Sequence, residues 1–166
     1  MISLAMPLVG TLLATYTDLK TGLIKNWISA PLFLTGLLYS VYVGGPDELL
    51  RSLLATMCYP ALTWLYCPKF NGGDVKLTMA VGTWLGLSNI WIFFLGAGSI
   101  RVLYGLLLRY MSYGPDVLSV LKGINFELKM FPQPFIPGKN RGRFDAIPVL
   151  GGVLTCIILN FIGRGV

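Results

Sequence analysis

The sequence predicts an all-α membrane protein, a polytopic bundle of about six transmembrane helices, from three observations. Hydrophobic residues make up 55% of the chain and charged residues only 12%, with a mean hydropathy of +0.71. Soluble domains carry roughly 25% charged residues, so this chain is short of the polar surface that water requires. The charged residues also cluster between long apolar runs. We therefore expect a single membrane-embedded domain over residues 1–166.

Six apolar runs mark the predicted spans. They cover residues 1–17, 27–43, 49–67, 75–87, 90–108 and 146–162. The first has no basic residue ahead of it and no small-residue cleavage site, so we interpret it as a retained helix and not as a secretory signal. The second begins at Trp27 and ends near Tyr39 and Tyr42, as interfacial aromatic residues do. A tight loop at 44–48 separates it from the third.

The later runs are less regular. The fourth is shorter than the ~20 residues of a full span, which predicts a tilted helix or one sheltered by its neighbours. A brief turn at Ser88 and Asn89 precedes the fifth run, and the sixth contains Gly151 and Gly152, which would permit close helix contact. Between these last two, residues 109–145 form a predicted cytoplasmic or interfacial loop. We expect an amphipathic surface helix within this loop, near residues 117–124.

The basic residues predict the orientation. With six spans, one side of the membrane collects Lys20, Lys25, Lys69, Lys76, Arg109, Lys122, Lys129, Lys139, Arg141 and Arg143. Only Arg51, Arg101 and Arg164 fall on the other side or within the membrane. The positive-inside rule then predicts a multi-pass protein with both termini outside. This placement accounts for the net charge of +6, so we expect membrane lipids and not nucleic acid as its partners.

The residue inventory restricts the chemistry. The chain has no histidine, which excludes Ser-His-Asp triads and histidine-ligated metal sites formed by this chain alone. Its three cysteines show no CxxC spacing, and we expect them to act as small buried side chains. We accordingly expect no metal and no cofactor, and proton transfer falls to the acidic residues or to lysine and tyrosine.

Two aspartates stand out by their position. Asp18 closes the first apolar run, and Asp74 follows Gly72 and Gly73 and opens the fourth. Acidic side chains at membrane boundaries are costly to place, and the predicted topology puts both on the cytoplasmic face. For Gly-Gly-Asp alone, a loop capped by an aspartate at the next helix start would suffice as an explanation.

A pair of carboxylates within about 4 Å cannot easily both ionise. The ionised member can take a proton from water while the protonated one polarises a carbonyl, which hydrolyses a peptide bond without histidine, metal or cofactor. The helix dipole would favour the charge on Asp74 over that on Asp18. The alternative is a non-catalytic membrane subunit or a small transporter that uses Asp18 and Asp74 as an ion or proton site.

The two motifs resemble those of type IV prepilin peptidases. Residues 18–26 resemble the first motif of the family, an aspartate followed by a basic residue and then Ile-Pro-Asn, with Lys25 in place of the proline. Residues 71–76 resemble the second, Gly-x-Gly-Asp with a nearby lysine, with Asn71 in place of the first glycine. The resemblance extends from residue 1 to about residue 108 and more loosely over the last span. A third interpretation assigns the aspartic chemistry to presenilin-like or signal-peptide-peptidase-like enzymes, but six spans, a length of 166 residues and both motifs argue against it.

The resemblance implies an aspartic endopeptidase of the prokaryotic cytoplasmic membrane that cleaves the leader of prepilin-like or archaeal preflagellin-like precursors at the cytoplasmic face. Asp18 and Asp74 would be its catalytic residues. Support of the loops or of the substrate would come from Gly72, Gly73, Lys20, Asn26 and Lys76. The chain resembles the small members without the Cys-rich domain, so we expect no methyltransferase activity. Arg101, inside the fifth span, is interpreted as an interior or snorkelling arginine.

Overall fold

The computed structural model of the protein describes residues 2–66, 72–113 and 146–163, which are helical apart from short turns and contain no β-strand. The helices are α1 (Ile2–Thr21), α2 (Asn26–Tyr66), α3 (Gly72–Leu85), α4 (Ile90–Tyr113) and α5 (Ala146–Ile162). A short 3₁₀ turn, Leu87–Asn89, joins α3 to α4. The predicted all-α class is thereby confirmed for these residues.

Helix α2 is a hairpin of two arms. Its backbone leaves helical values at Gly45, with φ 65° and ψ −150°, a combination that residues with a Cβ avoid. A Cβ on Gly36 would overlap the side chain of Thr83 in α3, and Ser52 Oγ donates a 3.0 Å hydrogen bond to the carbonyl of that same Thr83. In a straight helix Gly36 and Ser52 would lie about 24 Å apart, so the second arm must run back alongside the first.

Helix α3 lies in the middle of the bundle, in contact with α1, α2 and α5. Trp84 Nε1 donates a 2.8 Å hydrogen bond to the carbonyl of Leu32, and its ring stacks on Tyr39 with centroids 5.1 Å apart. On the other arm of α2, the Tyr59 hydroxyl donates a 3.1 Å hydrogen bond to the carbonyl of Gly86. Both arms therefore hold the carboxyl end of this short helix, whose residues are largely buried.

Helices α4 and α5 form a close pair. A Cβ on Gly152 would lie 2.7 Å from the carbonyl oxygen of Phe93, so the two backbones approach at a distance that only glycine permits. The close contact predicted for Gly151 and Gly152 is therefore present. Near the turn before α4, Asn160 Nδ2 donates a 3.1 Å hydrogen bond to Asn89 Oδ1.

The outer surface of the bundle carries large apolar side chains. Examples with more than half of their surface exposed are Leu38, Tyr42, Met57, Leu95 and Leu103. Such extended apolar faces are unsuited to water and suited to lipid. By length and composition, two helical stretches, Asn26–Trp64 and Leu87–Tyr104, meet the requirements for crossing a membrane, and Ala146–Ile162 is a shorter apolar helix. Six spans and their orientation stay predictions.

The helix bounds differ from the predicted spans in a few places. Helix α1 continues through Asp18 to Thr21, and α4 continues to Tyr113, so the first residues of the predicted 109–145 loop are helical. The loop predicted at 44–48 is the bend at Gly45 inside α2. The predicted surface helix near 117–124 lies outside the described residues.

Candidate functional site

Asp18 lies on the inward face of α1, with only 3% of its surface exposed. The other buried residues of this face are small or polar: Pro7, Gly10, Thr11, Ala14 and Thr15. Their spacing of three and four residues is that of one helix face. Thr11 Oγ1 donates to the carbonyl of Pro7 at 2.7 Å, and Thr15 Oγ1 to that of Thr11 at 2.8 Å. These hydroxyls therefore satisfy their donors within α1.

The helix ends at Thr21, three residues after Asp18, because Gly22 caps it. Gly22 has φ 69°, the left-handed conformation that commonly terminates helices. Its N–H donates a 2.7 Å hydrogen bond to the carbonyl of Asp18. Asp18 thus occupies the last turn of α1, at the negative end of the helix dipole.

Asp74 lies in the first turn of α3 and is 4% exposed. One turn further on, the buried Thr78 Oγ1 donates to the carbonyl of Asp74 at 2.9 Å. This end of a helix favours negative charge, in contrast to the end that holds Asp18. The two carboxyl groups therefore have opposite helix-dipole environments.

Direct contacts bring the turn after Asp18 to the start of α3. A Cβ on Gly73 would lie 3.2 Å from the Cβ of Ile24, so this glycine lets the α1–α2 turn come close. Lys76 Nζ donates a 3.1 Å hydrogen bond to Asn26 Oδ1, the first residue of α2. Asp18 and Asp74 accordingly lie at the same end of the bundle.

The remaining predicted site residues lie around this end. Lys20 is exposed, with its ammonium 5.9 Å from the centroid of the Tyr16 ring. Gly72 is the first residue of α3, and a Cβ there would meet nothing within 4 Å. The structure therefore joins Gly73, Asn26 and Lys76 by contacts, whereas Gly72 has open space beside it. Asn71, the other departure from the motif, lies outside the described residues.

The other charged residues discussed above lie in the bend of α2 and within α4. Asp47 is exposed beside the Gly45 bend, where Glu48 and Arg51 form a 3.8 Å ion pair between exposed side chains. Arg101 is half-buried within α4. Within the described part of the chain, no three cysteine or acidic side chains cluster as metal ligands would.

Several buried hydroxyl residues near the aspartates were not predicted. Thr11 and Thr15 share the face of Asp18, Thr78 follows Asp74 by one turn, and Ser29 is buried in α2. Thr15 Oγ1 also lies 3.4 Å from the carbonyl of Ala146, which begins α5. The signal was available in the sequence, because threonines four residues apart that lead up to Asp18 form a polar stripe on an otherwise apolar helix.

Comparison with known proteins gives one match. The model of the type IV leader peptidase family matches residues 6–106, which is more than half of the chain. The matched segment includes both aspartates, all of α2 and α3, and most of α1 and α4. No curated protein and no solved structure matches the chain significantly.

Proposed function

Since the chain belongs to the type IV leader peptidase family, we propose that it cleaves the leader of prepilin-like or preflagellin-like precursors with Asp18 and Asp74 as an aspartic catalytic pair. Family membership makes it a protease that processes type IV prepilin-like substrates. Together with the apolar helices, it also makes the chain a membrane protein. The aspartic mechanism, the two residues and the side of cleavage are the parts that we propose.

The observation that carries this proposal is the burial of two carboxyl groups at one end of an apolar bundle. Asp18 and Asp74 are 3% and 4% exposed, and aspartates are rarely buried without a functional or structural partner. They belong to different helices, at a carboxyl end and an amino end, and these ends meet through Ile24 and Gly73. A family of proteases and a chain without histidine leave acid chemistry as the simplest route to hydrolysis.

The proposed reaction uses one proton shared between the two carboxyl groups. Ionised Asp74, favoured by the amino end of α3, takes a proton from water as the water oxygen bonds to the scissile carbonyl carbon. Protonated Asp18 donates a hydrogen bond to the carbonyl oxygen and stabilises the tetrahedral intermediate. The carbon–nitrogen bond then breaks, the amine takes a proton from Asp74, and the acid product leaves without a covalent enzyme intermediate.

The neighbouring residues have supporting roles in this proposal. Gly72 has open space where a side chain would be, so a substrate main chain can approach Asp74 closely. Gly73 allows the α1–α2 turn to pack against α3. Lys20 is exposed at the end of the bundle that holds Asp18 and Asp74, which we call the rim. There it would contact substrate or lipid headgroups.

We further propose that residues 1–166 act as one domain in the cytoplasmic membrane, with six spans and the aspartates on the cytoplasmic side. The excess of lysine and arginine in the segments expected on that side supports this orientation. The hairpin of α2 supports it too, because a chain that runs out and back returns α3 to the end where α1 finishes.

Purified protein in detergent, incubated with a prepilin-like precursor, tests the proposal. We expect wild-type protein to cut the precursor and Asp18→Asn and Asp74→Asn each to slow cutting by at least roughly 100-fold, since each removes a group that transfers or shares the proton. Asp47→Asn is the matched control, because Asp47 is exposed at the Gly45 bend, and it should cut at the wild-type rate.

Two results would contradict the proposal. Wild-type protein that leaves the precursor intact while it carries ions in proteoliposomes would favour a transporter. Normal cutting by either Asp18→Asn or Asp74→Asn would show that hydrolysis does not use the pair.

A further inference from the structure

Beside the two aspartates, a hydrogen bond joins side chains of α2 and α3, and the proposed chemistry does not use it. Lys76 Nζ donates to Asn26 Oδ1 at 3.1 Å. Lys76 follows Asp74 by two residues in α3, and Asn26 begins α2 directly after the turn that leaves α1. The contact thus joins the two segments that carry Asp74 and Asp18.

Helix geometry directs Lys76 away from the carboxyl group. Residues two apart on a helix point about 200° apart around its axis, and such neighbours do not face each other. In agreement, Asp74 is buried and Lys76 is exposed. The ammonium therefore reaches across to α2, where it meets an amide oxygen.

On the other side, the path from Asn26 back to Asp18 is short and constrained. The Gly22 N–H donates to the carbonyl of Asp18 at 2.7 Å, and the Ile28 N–H donates to the carbonyl of Lys25 at 3.0 Å. Both ends of the turn are therefore fixed by backbone hydrogen bonds. Movement of Asn26 relative to α3 would be passed on to the last turn of α1, where Asp18 lies.

The second contact between these segments is less directional. Gly73 lies beside Ile24 without a directional bond, and an added Cβ on Gly73 would lie 3.2 Å from the Ile24 Cβ. Such a contact sets how closely the two segments approach and leaves them free to slide. A charge-assisted hydrogen bond prefers a defined distance and angle, so the Lys76–Asn26 contact limits that sliding.

We propose that Lys76 and Asn26 are positioning residues, and that their hydrogen bond fixes the separation of Asp18 and Asp74 in the reactive arrangement. This inference rests on the proposed function of the aspartate pair. Because both side chains are exposed, the bond contributes little to folding stability. Its loss should therefore slow catalysis and leave the bundle folded.

The test measures kcat and KM for cleavage of a prepilin-like precursor by purified full-length protein in detergent. Lys76→Met and Asn26→Ala should each lower kcat by about 10- to 100-fold, since a misplacement of 1 Å costs about that much, with KM unchanged. The kcat of the double variant should be no lower than that of the less active single variant, because both substitutions remove the same contact. Asn26→Asp keeps an oxygen acceptor in place and should retain most of the wild-type kcat.

Lys25→Met is the matched control. Lys25 is an exposed lysine next to Asn26, so its removal changes the charge of the rim by the same amount and should leave kcat unchanged. Thermal melting in detergent should give the same midpoint for all these variants.

The outcomes separate this inference from the proposed function. If Asp18→Asn abolishes cleavage and Lys76→Met cuts at the full rate, the positioning role is wrong and the aspartate pair stands. Losses that multiply in the double variant, or that appear in KM alone, would assign Lys76 and Asn26 to substrate binding and overturn the positioning role. If Asp18→Asn cuts normally, the proposed function itself fails.

Discussion

At the scale of single residues, the length of each acidic side chain matters because both aspartates are enclosed. Asp74→Glu keeps the charge and moves the carboxyl group by one methylene into a site where the parent side chain is only 4% exposed. We expect kcat to fall by about 100-fold with this variant, as for other displacements of a reacting group by about 1 Å. Steady-state cleavage of a prepilin-like precursor measures the change.

Asp47→Glu is the control for this substitution, since the Asp47 side chain is exposed beside the Gly45 bend and has room to lengthen. It should cleave like the wild type. An Asp74→Glu enzyme with unchanged kcat would mean that the position of this carboxyl group does not limit the reaction.

The sequence predicted the residue types of the site better than their contacts. Asp18, Asp74, Gly73, Asn26 and Lys76 were all named from motifs, and the described structure places them at one end of the bundle. That Lys76 meets Asn26 could not be predicted, because the register between α2 and α3 follows from packing farther along both helices. The catalytic assignment of the aspartates stays a prediction.

At the scale of elements, the approach of α4 to α5 depends on Gly152. Gly152→Ala would put a Cβ 2.7 Å from the Phe93 carbonyl oxygen, and a backbone atom cannot rotate aside as a side chain can. We expect the helices to separate locally at a cost of about 1–3 kcal/mol, typical of overpacking. Thermal melting of the purified protein in detergent would show this as a lowered midpoint.

The same substitution at Gly98 is the matched control, because a Cβ there meets nothing within 4 Å. Gly98→Ala should melt at the wild-type temperature or above it, since alanine is the better helix former. Equal losses at both positions would argue that helix propensity, and not the α4–α5 contact, sets the effect.

Element positions followed hydropathy closely, and element ends did not. The apolar runs located every described helix, because a run of apolar residues long enough for a membrane has few other structures open to it. Helix α1 nevertheless extends past its apolar run to Thr21, since backbone hydrogen bonding and the Gly22 cap decide where a helix stops. Polar residues such as Asp18 and Lys20 are accommodated in its last turn.

At the scale of the whole molecule, the hairpin of α2 and the distribution of basic residues make a prediction about sidedness. In a variant without Cys58, Cys67 and Cys156 that still cleaves precursor, a membrane-impermeant maleimide should label Asp47→Cys in intact cells. It should label Leu23→Cys, in the α1–α2 turn, only after the cells are broken. The positive-inside rule gives the expected direction.

The cysteine-free variant without either added cysteine, which has nothing to label, is the control for background. Labelling of Leu23→Cys in intact cells would reverse the proposed orientation and put the aspartates outside. Labelling of both positions in intact cells would mean that the two ends of the first arm of α2 do not lie on opposite sides of the membrane.

The all-α membrane class was predictable because the composition leaves little choice. The position of α3 in the middle of the bundle was not predictable. Its run is short, and the sequence indicated only a tilted or sheltered helix. In the structure both arms of α2 pack against α3, and Trp84 Nε1 donates a hydrogen bond to the carbonyl of Leu32. Which helix is surrounded depends on contacts between distant residues, and the hydropathy of a single run carries no information about its neighbours.

The bend at Gly45 has an evolutionary consequence. Since Gly36 and Ser52, on opposite arms, must meet the same threonine, the number of residues between them is fixed. One added residue in either arm would turn everything beyond it by about 100° and advance it by about 1.5 Å. Relatives of this chain should therefore differ freely in their lipid-facing side chains and hardly ever by an insertion or deletion between Asn26 and Tyr59.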